Sequence, residues 1–322
     1  MFPLEKTLLK ALEEEIDALL PSPPLRRMLS YPLEGGKRLR PALCLLACCG
    51  VGGDPYQALP AAAGVELVHN FSLVHDDIQD ASPLRRHRAT VWKRWGVAQA
   101  ITVGDALFSL SRLALLRLEG RGVPAKRVLP AARLLDEACL ALCQGQYLDI
   151  ALEKRPRVSR RPYFRMVRGK TSALLEASLA LGAVVGGKEG DALEALQLFG
   201  RNLGLAYQLQ DDALGLGGET AVVGKVSPDM RRKKKVFPVV YALEKAVGRE
   251  GEELRQLYRK RALAPEDIGR VMALLNRMGA LEYTMKLAQG YYDRALRELK
   301  KARLPQQQGL EEVVLYLRDR NF

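Results

Sequence analysis

Two aspartate clusters carry the chemistry legible in this chain, Asp76-Asp77-Ile78-Gln79-Asp80 and Asp211-Asp212. Each follows a long apolar run, LVHNFSLV before the first and LGLAYQLQ before the second. Both runs read as buried helix, where a carboxylate without a partner is costly. In a helix Asp76 and Asp80 share one face. Hard oxygen ligands of this kind suit Mg2+, which keeps waters and is usually shared with a substrate's phosphates. A solvated helix end is the plain alternative for a single such cluster. Two clusters with cations near both favour a metal-held anion.

The cations follow the acids. Two basic runs, RRHR at 85–88 and RRKKK at 231–235, each come shortly after one cluster. A third group, Gly35-Gly36-Lys37-Arg38-Leu39-Arg40-Pro41, sets two glycines and three cations at a predicted helix start. Glycine lets a backbone approach a ligand closely, and a helix N-terminus presents free N–H groups. Positive side chains there oppose the helix dipole, so stability does not explain them. Diphosphate recognition by Lys37 and Arg40 is one reading and a plain basic loop the other. His69 lies two turns before Asp76 on nearly the same face, as a core residue or as a polar contact in a shared cavity. His75 points elsewhere. Phe71 lies roughly 7.5 Å below Asp76 along the helix, where a ring would limit how far an apolar tail penetrates; it reads equally as core. Gly169-Lys170-Thr171 lacks the spacing of a nucleotide phosphate loop, yet Lys170 and Thr171 remain available to a phosphate. Lys225 and Lys234 fall in or near a Gly-rich charged segment able to close over a ligand.

Helices must position these groups. With 48% hydrophobic residues, mostly Leu, Ala and Val, and only 6% aromatic, the chain favours helices packed on small side chains. Apolar spacing predicts helices over 4–20, 38–50, 56–80, 90–119, 124–152, 160–186, 190–215, 236–248, 250–260, 265–276, 278–302 and near 308–318. No stretch alternates at period two, no linker divides the text, and a single all-helical domain over 1–322 follows. The middle helices are long enough to wall a deep pocket. No run reaches membrane-spanning length unbroken, and the first twenty residues carry too many acids for a signal peptide. Five cysteines in apolar helical text, without neighbouring histidines, read as small core residues in a reducing cytoplasm. The net charge of +13 comes without a nucleic-acid-binding module or interleaved aromatic residues, which turns it toward a phosphorylated small ligand.

Taken in order, GGKRLRP, LVHNFSLVHDDIQD, the RR after it, WG…AITVGDALF, GQYLD, GKTS and AYQLQDD resemble the trans-isoprenyl diphosphate synthases, or polyprenyl synthetases, from about Gly35 to Pro238. The resemblance implies an all-α, isoprenoid synthase-like bundle of long helices around a deep central cavity, usually a homodimer. It implies head-to-tail condensation of isopentenyl diphosphate with dimethylallyl, geranyl or farnesyl diphosphate. Asp76, Asp80 and Asp211 would hold three Mg2+ ions, with Asp77, Asp149, Asp212 and Asp229 supporting them. Arg85, Lys170, Gln208, Lys225 and Lys234 would contact the allylic diphosphate. Gly36, Lys37, Arg40, His69 and Arg86 would hold isopentenyl diphosphate, and Thr171 with the Lys170 carbonyl region would stabilise the carbocation. A bulky ring at Phe71, then Ser72, with no insertion in the first cluster, resembles the type that stops at four isoprene units, geranylgeranyl diphosphate. Farnesyl and longer-chain synthases are the alternatives, followed by an isoprenoid cyclase or a low-activity partner subunit.

The text departs from the family pattern where Gly215 replaces the last acid of the second cluster. It departs again at Lys233 and Val236, and Arg85-Arg86-His87-Arg88-Ala89-Thr90 stands where the family usually reads RRGxPT.

Overall fold

The structure, a computed structural model, describes residues 5–155, 157–217, 233–245, 247–260 and 262–319. Helices α1 (Lys6–Asp17), α2 (Leu25–Leu33), α3 (Leu39–Gly50) and α4 (Leu59–Gln79) open it. A small hairpin, β1 (Leu84–Arg85) and β2 (Arg88–Ala89), leads to α5 (Val91–Trp95) and α6 (Val97–Leu116). Next come α7 (Ala125–Glu153), α8 (Arg160–Val167), a π-helical turn (Arg168–Ser172), α9 (Ala173–Val185) and α10 (Asp191–Gly217). Helices α11 (Phe237–Lys245), α12 (Gly248–Arg259), α13 (Pro265–Arg277), α14 (Ala280–Lys301) and α15 (Gln308–Arg318) complete the order.

The all-helical expectation holds, with local differences. The helix expected over 90–119 breaks at Gly96, whose φ of +86° leaves the helical region. The one expected over 160–186 is interrupted by the π turn. Residues 25–33 are helical despite Pro32, which falls near the C-terminal end. The hairpin turns at Arg86 and His87 with φ of +51° and +62°, and Arg85 pairs with Arg88 across it. Two left-handed residues in a two-residue loop match the twist of the flanking strands, a geometry usually given to Asn-Gly. Side chains there cost roughly 1–2 kcal/mol each, and such strain gathers where a ligand is held.

The described chain forms two compact units. The first comprises residues up to Cys139, Leu174–Gly200 and Glu298–Val313. The second comprises Leu140–Ala173, Arg201–Arg297 and residues from Val314 onward.

In the first unit α4 is buried along most of its length, against α6 and α3. Glycine permits the closest approaches. A Cβ on Gly182 of α9 would lie 2.0 Å from the Cys44 carbonyl of α3. The end of α3 is tied down where Gln306 N–H donates to the Gly50 carbonyl at 3.2 Å. The second unit gathers aromatic rings instead. Tyr163, Phe164 and Phe237 meet at 5.2–5.5 Å between centroids. Tyr241 stacks on Tyr283 at 4.2 Å, and Leu152, Val167, Leu205 and Leu209 pack into the same core.

Candidate active site

The first acid cluster ends α4, where the helix dipole already presents negative charge. Burial differs sharply between its neighbours. Asp77 is 4% exposed, whereas Asp76 and Asp80 are half-buried. Arg85 holds Asp77 from the hairpin: Nε donates to Oδ1 at 2.9 Å and Oδ2 at 3.1 Å, and Nη2 stands 2.9 Å from Oδ1. Burial raises the Asp77 pKa while Arg85 works against the rise. Asp76 Oδ2 lies 3.7 Å from the same guanidinium. Asp80 caps the helix, its N–H donating to the Asp76 carbonyl at 2.8 Å, which stacks the two carboxylates one turn apart.

Behind the acids lies a basic cluster. Arg40 donates to His69 Nε2 at 3.2 Å. Because a guanidinium only donates, Nε2 accepts and the ring proton sits on Nδ1. Burial, reinforced by Arg40, Arg86, Arg85 and Arg38, holds the His69 pKa well below its ordinary value. The imidazole is therefore neutral within a strongly positive field, a setting that favours an anion. Gly36 adjoins this cluster with φ +90°, a conformation that favours glycine, and its Cβ position would stand 2.8 Å from the Arg86 guanidinium.

Arg38 corrects the expectation that stability does not explain the cations of this segment. It caps α3 with φ +50° and donates to buried Glu66 at 2.6 Å and to the Leu33 carbonyl at 2.6 Å. Asn70 donates to the same Glu66 oxygen at 3.0 Å. Glu66 was legible only as a lone acid in apolar text, and its role was missed.

A cavity of about 250 Å³ opens in this unit. Gly36, Asp77, Arg85 and Arg86 line it; Lys37, Arg40 and His69 do not. Phe71 is buried, edge-on to Phe108 of α6 at 5.2 Å and to His75 at 5.9 Å. Ser72 donates to the His69 carbonyl at 2.7 Å. His75, given no catalytic role, turns to α6 and the Ile101 carbonyl at 3.3 Å.

In the second unit the same division of labour recurs on α10. Asp211 is exposed. Asp212 is 7% exposed, and three donors converge on it: Tyr163 O–H at 2.6 Å, Gln208 Nε2 at 2.8 Å and Phe237 N–H at 2.7 Å. Burial pushes its pKa up to about 7 against those three hydrogen bonds. Gln208 is engaged at its other end too, accepting from Thr171 Oγ1 at 2.7 Å. Lys170 donates to buried Asp149 at 2.6 Å, and Lys234 stands 3.5 Å from the same oxygen. Two ammonium groups thus meet at one carboxylate.

Lys170 and Thr171 sit in the π turn, an element frequent at functional sites. Gly145 of α7 presses against it: a Cβ there would lie 2.1 Å from Lys170 N. Gly169 is equally close to α7, its Cβ position 2.5 Å from the Ala141 carbonyl. Around Gly215 there is open space, so the acid missing from the second cluster has room. Lys225 and Asp229 lie outside the described residues. Among the described residues no three acids or imidazoles form a ready-made cation site.

Comparison with known proteins bears on these groups. A model of the polyprenyl synthetase family matches residues 22–275. The (2E,6E)-farnesyl diphosphate synthase of Mycobacterium tuberculosis is 45% identical over 209 residues, which are 65% of this chain and 57% of that protein. The geranylgeranyl diphosphate synthase of Methanosarcina mazei is 36% identical over 290 residues, 89% of this chain and 87% of that one. Among solved structures, a geranylgeranyl pyrophosphate synthetase from Pyrococcus horikoshii matches with a TM-score of 0.89 at 34% identity, covering 98% of this chain and 97% of the other.

Proposed function

Because the chain belongs to the polyprenyl synthetase family and has the all-α fold of the isoprenoid synthases, we propose that it is a prenyltransferase. It condenses isopentenyl diphosphate head to tail with allylic diphosphates, releases diphosphate and yields geranylgeranyl diphosphate. One observation carries the reading. In each Asp-Asp pair the second carboxylate is buried against protein donors and the first is the more accessible: the Asp76 side chain is 15% exposed with Arg85 3.7 Å away, against 5% for Asp77, and Asp211 is exposed. Asp76 and Asp80, and separately Asp211, are the groups we assign to Mg2+.

When bound, the metal would draw off negative charge from the departing diphosphate. The chain's own residues do the rest. Lys170 and Lys234 supply positive charge for the allylic diphosphate, and Arg85 holds the first pair in shape. Gly36, Lys37, Arg40, His69 and Arg86 hold the second diphosphate. Buried apolar walls keep water from the cation until the isopentenyl double bond reaches it. Loss of a proton to the departing diphosphate completes the addition, so no histidine or glutamate is required as base.

Incubation with Mg2+, labelled isopentenyl diphosphate and farnesyl diphosphate tests the reading. A C20 product supports it. A cyclised product without incorporated label would make the chain a cyclase, and no product at all would defeat the catalytic reading. The 45% identical farnesyl diphosphate synthase keeps a C15 product as the second reading.

Product length rests on Phe71. Phe71→Ala is expected to remove the ring that meets the growing chain and to shift products to five units or more, with little loss of total condensation. An unchanged product distribution by chromatography would move the floor elsewhere.

The partner we assign is a second copy of the chain. Along α6, Val97, Ile101, Phe108 and Leu116 share one face at helical spacing and remain exposed. Leu116 is 63% exposed, and Leu129 of α7 is 74% exposed. An apolar stripe of this kind suits a self-complementary interface. Sedimentation should give a dimer for the unmodified chain and a monomer for Leu116→Glu. A monomeric unmodified chain would remove the assignment.

A further inference from the structure

Tyr163 lies in none of the motifs that suggested a function, yet it ends a row of hydrogen bonds that reaches the π turn. Its hydroxyl donates to Asp212 Oδ2 at 2.6 Å, beside Phe237 N–H at 2.7 Å. The other oxygen, Oδ1, accepts Gln208 Nε2 at 2.8 Å. Gln208 turns its amide nitrogen toward the Asp212 oxygen that accepts it and its amide oxygen away. That oxygen in turn accepts the Thr171 hydroxyl at 2.7 Å. The row thus has one direction, and it spends the single Thr171 hydroxyl hydrogen inward. The lone pairs of Thr171 Oγ1 are what remain.

We propose that Tyr163 is a positioning residue that sets the polarity of the Thr171 hydroxyl. Through Asp212 and Gln208 it makes Thr171 present oxygen lone pairs, rather than a hydrogen, to the allylic cation. The inference rests on the reading that this chain ionises an allylic diphosphate. Lone pairs stabilise a cationic carbon, whereas a hydroxyl hydrogen turned outward would oppose it. Tyr163 is 1% exposed within the aromatic core of its unit, so it never meets the substrate and acts only through the row. The arrangement is costly to leave incomplete, since a buried carboxylate that loses one of three donors loosens its hold on Gln208.

The test is a double-mutant cycle read as kcat, with KM for both diphosphates and thermal melting measured on each variant. Tyr163→Phe should lower kcat by about tenfold and leave both KM values within about threefold. Thr171→Val removes the lone pairs; in that background Tyr163→Phe should cost no further factor. Thr171→Ser keeps the hydroxyl, and there the tenfold cost should return. If Tyr163→Phe does not fold, Gln208→Leu, which has no donor for Asp212, replaces it in the same cycle. A cost that multiplies unchanged in the Thr171→Val background, or a KM effect without a kcat effect, overturns the proposal. An unmodified chain that makes no prenyl product overturns the underlying reading and the proposal together. Activity with an uncoupled Tyr163 overturns the proposal alone.

Discussion

Asp76→Ala and Asp211→Ala are each expected to lower kcat by at least about a hundredfold at saturating Mg2+, with melting temperatures close to that of the unmodified protein. The size follows from the role. Charge that develops on a leaving diphosphate is absorbed by groups fixed in advance, and losing one such contact costs roughly 3–4 kcal/mol in the transition state. The intact melting temperature follows from burial. Asp211 is exposed, and Asp76 is only half-buried at the end of its helix. Their neighbours should behave the other way. Asp77 and Asp212 are buried acceptors of protein donors, so alanine there strands Arg85, Tyr163 and the Phe237 amide and should lower stability. Steady-state kinetics beside thermal melts separates the two classes. Near-normal turnover of Asp211→Ala would remove the second pair from the catalytic assignment. Gly215→Asp, placed in open space, should leave activity unchanged or raise it modestly.

Gly145→Ala is expected to cost on the order of a hundredfold in kcat, although residue 145 carries no reactive group. Its new Cβ would stand 2.1 Å from Lys170 N and 2.8 Å from Lys170 Cα. Those are backbone atoms, which cannot swing aside, so the π turn must retreat by about 1 Å to restore contact distance. A displacement of that size at a positioned group is enough for a hundredfold loss. Overpacking should also lower stability by about 1–3 kcal/mol. Gly169→Ala, whose Cβ would meet the Ala141 carbonyl at 2.5 Å, tests the same contact from the other side. Turnover within a few-fold of normal in both variants would mean the position of Lys170 and Thr171 is not critical.

Much of this was readable in the text because helices and first acids are local signals. Apolar residues at helical spacing mark α4 and α10, and the acids that end those runs announce themselves. What escaped the text is long-range or conformational. Nothing in RRPYFRMV ties Tyr163 to an aspartate 49 positions away. Glu66 gave a weak signal, an acid among apolar neighbours, but its pairing with Arg38 needed the turn before α3. The hairpin at Arg86-His87 has no glycine or asparagine to betray two left-handed residues. The π turn depends on Gly145, a helix-weakening residue whose reason lies in another segment. Arg38 shows the opposite error, where the dipole argument was sound but a buried partner outweighed it.

The way the two units draw on the chain governs how they are made. The first unit takes its principal stretch before Cys139 and its last one from Glu298–Val313, where the Gln306 amide meets the end of α3. At roughly 5–20 residues per second on the ribosome, about ten to thirty seconds separate the emergence of those stretches. Throughout that interval the apolar helix α3 lacks its last neighbour. Nascent chains stalled before Glu298 should therefore bind holdase chaperones strongly, and release should track the appearance of that late segment. The first 139 residues expressed alone would be an aggregation hazard rather than a foldable fragment.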